Sequence, residues 1–133
     1  MKKVAFIFPG QGSQSVGMGK DFFENSDIAK DMIKKASDRL GIDFENLLFE
    51  ENDLLGQTQY TQPAILLTSC IALEVFKSKC DVKPEFVLGH SLGEFSALVA
   101  SGAIDYLDAV ELVHKRGLFM TEACEGAGAG MMA

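Results

Sequence analysis

The stretch that decides the fold is Phe86-Val87-Leu88-Gly89-His90-Ser91-Leu92-Gly93-Glu94-Phe95. Its first three residues are apolar and, with Glu85, read as a short strand, Glu85–Leu88. Gly89 to Gly93 is a tight turn, and Leu92 to Ser101 is an apolar helix that Gly102 ends. Gly89-His90-Ser91-Leu92-Gly93 matches Gly-x-Ser-x-Gly, a pattern short enough to arise by chance. Its setting gives it weight, because a strand running into the motif and a helix running out of it make a nucleophile elbow. A serine on so sharp a turn stands clear of its neighbours, and the flanking glycines let backbone pass without side-chain clashes. The Leu92 N–H then lies at a helix start, where amides lack partners and the dipole favours negative charge. Ser91 is a candidate nucleophile and the Leu92 amide a candidate oxyanion donor. The plainer alternative is a Gly-Ser-Gly connection that only joins strand to helix.

Upstream, Lys3 to Phe8 is a nearly unbroken run of Val, Ile and Phe, which suits a strand buried on both faces of a parallel sheet. Pro9 to Gly19, PGQGSQSVGMG, is a glycine-rich loop. Loops that follow parallel strands share one end of the sheet, so this loop and the elbow converge, and its backbone amides are candidates for a second oxyanion donor. A phosphate loop is disfavoured, since GQGSQ lacks the third glycine of GxGxxG and GxxxxGK[ST] is absent.

Between the strands, Ser26 to Leu40 reads as a helix with Ile28, Met32, Ile33, Ala36 and Leu40 on one stripe, ended by Gly41. Asp43 to Glu50 is a further short helix, and Glu51 to Tyr60 carries no period and reads as a loop. Pro63 opens the next helix, because proline in a first turn loses no hydrogen bond; it runs to Lys79 and is apolar on most faces. Asp105, with Asp108 three residues on, caps a last helix that continues to about Glu122. The order strand, helices, strand, helix is an α/β pattern with a crossover, with two convincing strands.

A chain of 133 residues that is 47% hydrophobic holds one domain of ordinary size with material for a core. Its net charge of −7 disfavours nucleic acid and a polybasic membrane anchor. No apolar run approaches the ~18 residues of a membrane span. Ala64 to Phe76 is broken by Thr68, Ser69 and Glu74. Val4 to Phe8, after Met1-Lys2-Lys3, is too short for the ~7–15 apolar residues of a signal peptide. Cys70, Cys80 and Cys124 are odd in number and lack CxxC spacing, which reads as reduced thiols in a cytoplasmic protein, with no metal and no cofactor expected.

Arg116 lies late in the last helix, where the dipole favours a surface arginine; its other reading is a bidentate clamp on a carboxylate. A serine nucleophile wants an imidazole within hydrogen-bond reach. His90 is adjacent on a tight turn whose neighbours point apart, and His114, two residues from Arg116 on one helix, faces elsewhere. Nucleophile and oxyanion donors are present, and a general base is not.

Four motifs occur in order: FPGQGSQ at 8–14, YTQPA at 60–64, GHSLGE at 89–94, and Arg116-Gly117 with Met120. Together they resemble the N-terminal part of the malonyl-CoA:acyl carrier protein transacylases, over essentially the whole chain, and the related acyltransferase domains of polyketide and fatty acid synthases share the pattern. The resemblance implies part of an α/β-hydrolase-like large subdomain, a short parallel sheet surrounded by helices. Residues 1–125 would belong to it, and 126–133 would begin a smaller ferredoxin-like subdomain lying mostly beyond this chain. It implies Ser91 as the acylated nucleophile, the amides of Gln11 and Leu92 as oxyanion hole, Arg116 on the malonyl carboxylate, and Gln62, His90 and Met120 around the substrate pocket. It implies malonyl-CoA and the phosphopantetheine thiol of acyl carrier protein as partners in a two-step transfer through a malonyl-Ser91 ester. Leu92 after the serine resembles malonyl-type more than methylmalonyl-type members. The family is more than twice this length and its catalytic histidine lies past residue 133, so little turnover is expected of this chain alone. The competing readings are a non-catalytic piece that binds acyl carrier protein or CoA, and a serine hydrolase, which shares the elbow but does not call for GQGSQ, YTQPA and Arg116 together.

Overall fold

The computed structural model describes residues 2–125 and 128. The expected start of a second subdomain at 126–133 therefore falls almost wholly outside the described residues. Two strands, β1 (Ala5–Phe8) and β2 (Phe86–Gly89), pair in parallel in the register Ala5↔Phe86, Phe6↔Val87, Ile7↔Leu88 and Phe8↔Gly89. Six helices complete the order: α1 (Lys20–Asn25), α2 (Asp27–Leu40), α3 (Phe44–Phe49), α4 (Thr58–Lys79), α5 (Gly93–Ala100) and α6 (Tyr106–Cys124). The expected α/β class with one parallel crossover is the architecture observed.

The centre of the fold is α4, buried continuously from Thr61 to Leu67 and again at Cys70, Ile71, Leu73 and Val75. A helix apolar on most of its faces is stable only when surrounded. Here α2 brings Ala29, Met32, Ile33 and Ala36 to the core, α3 brings Phe44, Leu47 and Leu48, and α6 brings Ala109, Val110 and Val113. Burial pushes the Cys70 thiol up to about 12, with Glu74 and Asp105 adding to the shift. Arg39 at the end of α2 reaches Asp108 and Glu111 of α6, each at 2.8 Å, and ties two outer helices together.

Pro63 does not open α4. The helix starts at Thr58, so the loop expected to reach Tyr60 ends earlier and the proline sits inside the helix. Proline has no N–H to donate to the carbonyl four residues back, which here is Gln59. His114 of α6 supplies the missing donor, its Nδ1 lying 2.7 Å from Gln59 O. Because a carbonyl only accepts, the proton is on Nδ1. Gly117, one turn on, lets α6 come close: a methyl there would run into the backbone of Gln59 and Thr58.

Three smaller expectations also change. Asp105 caps α6 by accepting from Leu107 N at 3.0 Å, but Asp108 does not complete a capping box; its carboxylate is held by Arg39 instead. Ile28 is not on the buried stripe of α2, where Ala29 takes its place. Helix α1 had no sequence counterpart: its six residues bury no side chain, and its N-cap is Gly19 at φ 80°.

Strand β1 is not buried on both faces. Phe6 packs edge-on against Phe76 of α4, ring centroids 5.6 Å apart, and Phe8 is buried. The opposite face carries Ala5, Ile7, Phe86 and Leu88 side by side, and Ile7 and Phe86 are 72% and 65% exposed. No element among the described residues covers that face.

Candidate active site

Gly89 ends β2 and Gly93 begins α5, so Ser91 sits on the connection expected of an elbow. Its φ is 53°, and among the described residues it is the one non-glycine with positive φ. Such backbone costs roughly 1–3 kcal/mol and persists only where neighbours hold it. The neighbours are close. A methyl on Gly93 would strike the carbonyl oxygens of Phe8 and Pro9, one on Gly89 the backbone of Gly93, and one on Gly10 the carbonyl of His90. His90 N also donates to Phe8 O at 3.3 Å. The glycines thus let the end of β1, its following loop and the elbow meet backbone to backbone.

Arg116 reaches this point from α6. Its Nη2 lies 3.3 Å from Ser91 Oγ, its Nη1 donates to Gln62 Oε1 at 2.6 Å, and its guanidinium carbon is 5.3 Å from the ring centroid of Phe95. Gln62 is completely buried, and the donor set of arginine fixes which way its amide faces, oxygen toward Arg116. The Gln62 NH2 group is then directed at Thr58 Oγ1, 2.9 Å away, and at Met120 Sδ, 3.3 Å away. The guanidinium is held from one side by an amide and from another by an aromatic face, leaving further N–H donors beside the serine.

The structure therefore gathers Ser91, Gln62, Arg116 and Met120 in one hydrogen-bonded group. Gln11 joins through its side chain, whose oxygen accepts from Thr58 Oγ1 at 2.7 Å. Among the described residues no acceptor takes the N–H of Gln11 or of Leu92. His90 is exposed and meets Gly10 with its carbonyl and Nδ1, and His114 is committed to Gln59. Neither histidine has a hydrogen bond to Ser91. Two members of the group, Thr58 and Phe95, are not singled out by the sequence. Thr58 falls in the stretch that reads as loop; its spacing of four residues from Gln62 is a signal only once α4 is known to begin there.

No cluster of His, Cys, Asp or Glu among the described residues could hold a metal ion. An apolar groove of about 670 Å3 runs beside β1 and α4, lined by Phe6, Phe8, Phe22, Leu73 and Phe76. It contains neither Ser91 nor Arg116 and marks the open edge of a two-stranded sheet. No helix among the described residues is long and apolar enough to cross a membrane.

A parallel α/β unit with a serine at positive φ between strand and helix, and an arginine beside its hydroxyl, is a protein of the nucleophile-elbow class. More narrowly, the chain belongs to the acyl transferase domain family, which matches residues 5–133. The malonyl CoA-acyl carrier protein transacylase of Bacillus subtilis (strain 168) is 49% identical over 134 residues, covering 100% of this chain and 42% of the relative. The crystal structure of the malonyl-CoA:acyl carrier protein transacylase of Helicobacter pylori superposes with a TM-score of 0.90 at 49% identity, over 93% of this chain and 41% of that one. A malonyl-transacylase solved in complex with its type II PKS acyl-carrier protein gives 0.87 at 41% identity, over 92% and 40%. The chain spans about two-fifths of the length of the relatives it matches.

Proposed function

We propose that the chain carries the nucleophile, oxyanion donors and carboxylate clamp of a malonyl-CoA:acyl carrier protein S-malonyltransferase. The observation that carries the reading is Arg116 Nη2 at 3.3 Å from Ser91 Oγ, seated by a fully buried Gln62. Ser91 Oγ attacks the thioester carbonyl of malonyl-CoA. The tetrahedral oxygen is received by the N–H groups of Leu92 and Gln11, the carbon–sulfur bond breaks, and CoA leaves as its thiol. The phosphopantetheine thiol of acyl carrier protein then attacks the Ser91 ester, and Ser91 regains its proton. Splitting the transfer lets one site serve two thiols in turn.

A malonyl group ends in a carboxylate that an acetyl group lacks. The unpaired donors of Arg116 meet that charge with a planar fork, and an acetyl group leaves them unmatched, which penalises the wrong substrate. His90 and Met120 flank the acyl group, as does Gln62. Proton transfer needs an imidazole that neither His90 nor His114 provides, so the reading takes its base from sequence outside these residues. The similarity of this chain to a transacylase held with its carrier protein supports acyl carrier protein as the second partner.

The test is acylation of the full-length protein by malonyl-CoA, followed by intact mass and peptide mapping. A stoichiometric malonyl adduct on Ser91, discharged by acyl carrier protein and absent from Ser91→Ala, is expected. An adduct elsewhere, or hydrolysis with no transfer to a thiol, overturns the reading.

A further inference from the structure

The Arg116 clamp and the Gln11 loop come from opposite sides of the site, and one hydroxyl joins them. Arg116 Nη1 donates to Gln62 Oε1, Gln62 Nε2 donates to Thr58 Oγ1, and Thr58 Oγ1 donates to Gln11 Oε1. The three bonds measure 2.6, 2.9 and 2.7 Å and all run in one direction. Arg116 cannot accept, so it sets the orientation of the Gln62 amide. That amide must then present hydrogens to Thr58, and the single hydrogen of Thr58 goes on to Gln11 Oε1. Flipping the Gln62 amide would oppose two donors at Arg116.

We infer that Thr58 is a positioning residue: its hydroxyl couples the orientation of the Arg116 guanidinium to the placement of the Gln11 loop that presents an oxyanion donor. Two observations support a role beyond packing. Thr58 is the first helical residue of α4, one past the N-cap position held by Gln57, and its hydroxyl donates across to the Gln11 loop rather than to a carbonyl of its own helix. Gln62 is wholly buried, so its NH2 group has no water to turn to if Thr58 is lost; Met120 sulfur, its other partner, is a weak acceptor. Losing the hydroxyl frees the Gln62 amide to rotate, which loosens the clamp. It also releases the Gln11 side chain, which loosens the loop.

The inference rests on the malonyl-transfer reading for its substrate, and its test separates the two. In the full-length protein, Thr58→Val keeps the shape of the side chain and removes the hydroxyl, while Thr58→Ser keeps the hydroxyl. For malonyl-CoA, Thr58→Val is expected to lower kcat/KM by about tenfold to a hundredfold, the scale of leaving a buried polar group unpaired. The malonyl-to-acetyl preference should fall with it, and Thr58→Ser should restore both to within about threefold. Ser91 labelling by a neutral fluorophosphonate reads the oxyanion side without the carboxylate, and should slow in Thr58→Val and recover in Thr58→Ser. A Thr58→Val protein with unchanged substrate preference and unchanged labelling overturns the inference, as does a Thr58→Ser protein no better than Thr58→Val. If the unmutated protein labels at Ser91 but accepts no malonyl group, the substrate reading fails, and the labelling comparison still decides the role of Thr58.

Discussion

His114 holds the carbonyl oxygen of Gln59, at 2.7 Å, in place of the helical donor that Pro63 cannot supply. One histidine thereby explains why a proline is tolerated inside the most buried helix of the fold, and why that histidine is not a base for Ser91. His114→Ala leaves the Gln59 carbonyl without its donor, and the protein should lose about 1–3 kcal/mol of stability. Urea unfolding of the full-length protein measures it. Ser91 labelling in the folded variant should stay near the starting rate; a collapse of labelling with stability intact would instead place His114 in the chemistry.

Under the malonyl-transfer proposal, Arg116→Ala in the full-length protein should reduce malonyl transfer far more than acetyl transfer, by about two orders of magnitude in their ratio, because the substrate carboxylate loses its charge partner. Arg116→Lys keeps the charge but not the fork that spans Gln62 and Ser91, and should recover only part of the loss. The measurement is kcat/KM for the two acyl-CoA substrates side by side. Equal losses for both remove Arg116 from selectivity.

Much of the backbone geometry of this site is legible in the sequence because it depends on local residues. Gly89, Gly93 and Gly10 sit where methyl groups would hit carbonyls, so the glycine spacing is itself a statement of close approach. The convergence of the Pro9–Gly19 loop with the elbow followed from parallel pairing alone. Other features depend on contacts between distant segments and leave little local trace. The start of α4 at Thr58 was hidden because Pro63 ordinarily marks a first turn, and only His114, remote in sequence, makes an interior proline tolerable. The exposure of Ile7 was hidden because an apolar run of five residues, Val4 to Phe8, reads the same whether one sheet face or two are covered.

The three thiols should differ sharply in reactivity. Burial pushes Cys70 from 9.0 up to about 12, whereas Cys80 and Cys124 are exposed. Alkylating reagents attack the thiolate, so at pH 8 Cys80 and Cys124 should label in the folded protein and Cys70 only after denaturation. The folded state holds the Cys70 proton more tightly than the unfolded one, so its contribution to stability is complete below about pH 9 and is lost as pH rises toward 12. Cys70→Ala should therefore flatten the alkaline fall in stability, as read by thermal unfolding between pH 8 and 10.5. Rapid native labelling of Cys70 contradicts this account.

Ala5, Ile7, Phe86 and Leu88 lie side by side across the parallel pair, and all four are exposed. Apolar surface gains roughly 25 cal/mol for each Å2 removed from water, and contiguous patches of this kind drive association. The polypeptide of residues 1–133 should therefore self-associate at tens of micromolar, and sedimentation velocity should show the species growing with concentration. Replacing Ile7 and Phe86 by lysine places two charges on the outward face while Phe6 and Phe8 keep their packing on the inward one. The double variant should sediment as a monomer with unchanged helical circular dichroism. Association that persists undiminished in the double variant would place the contact away from Ile7 and Phe86.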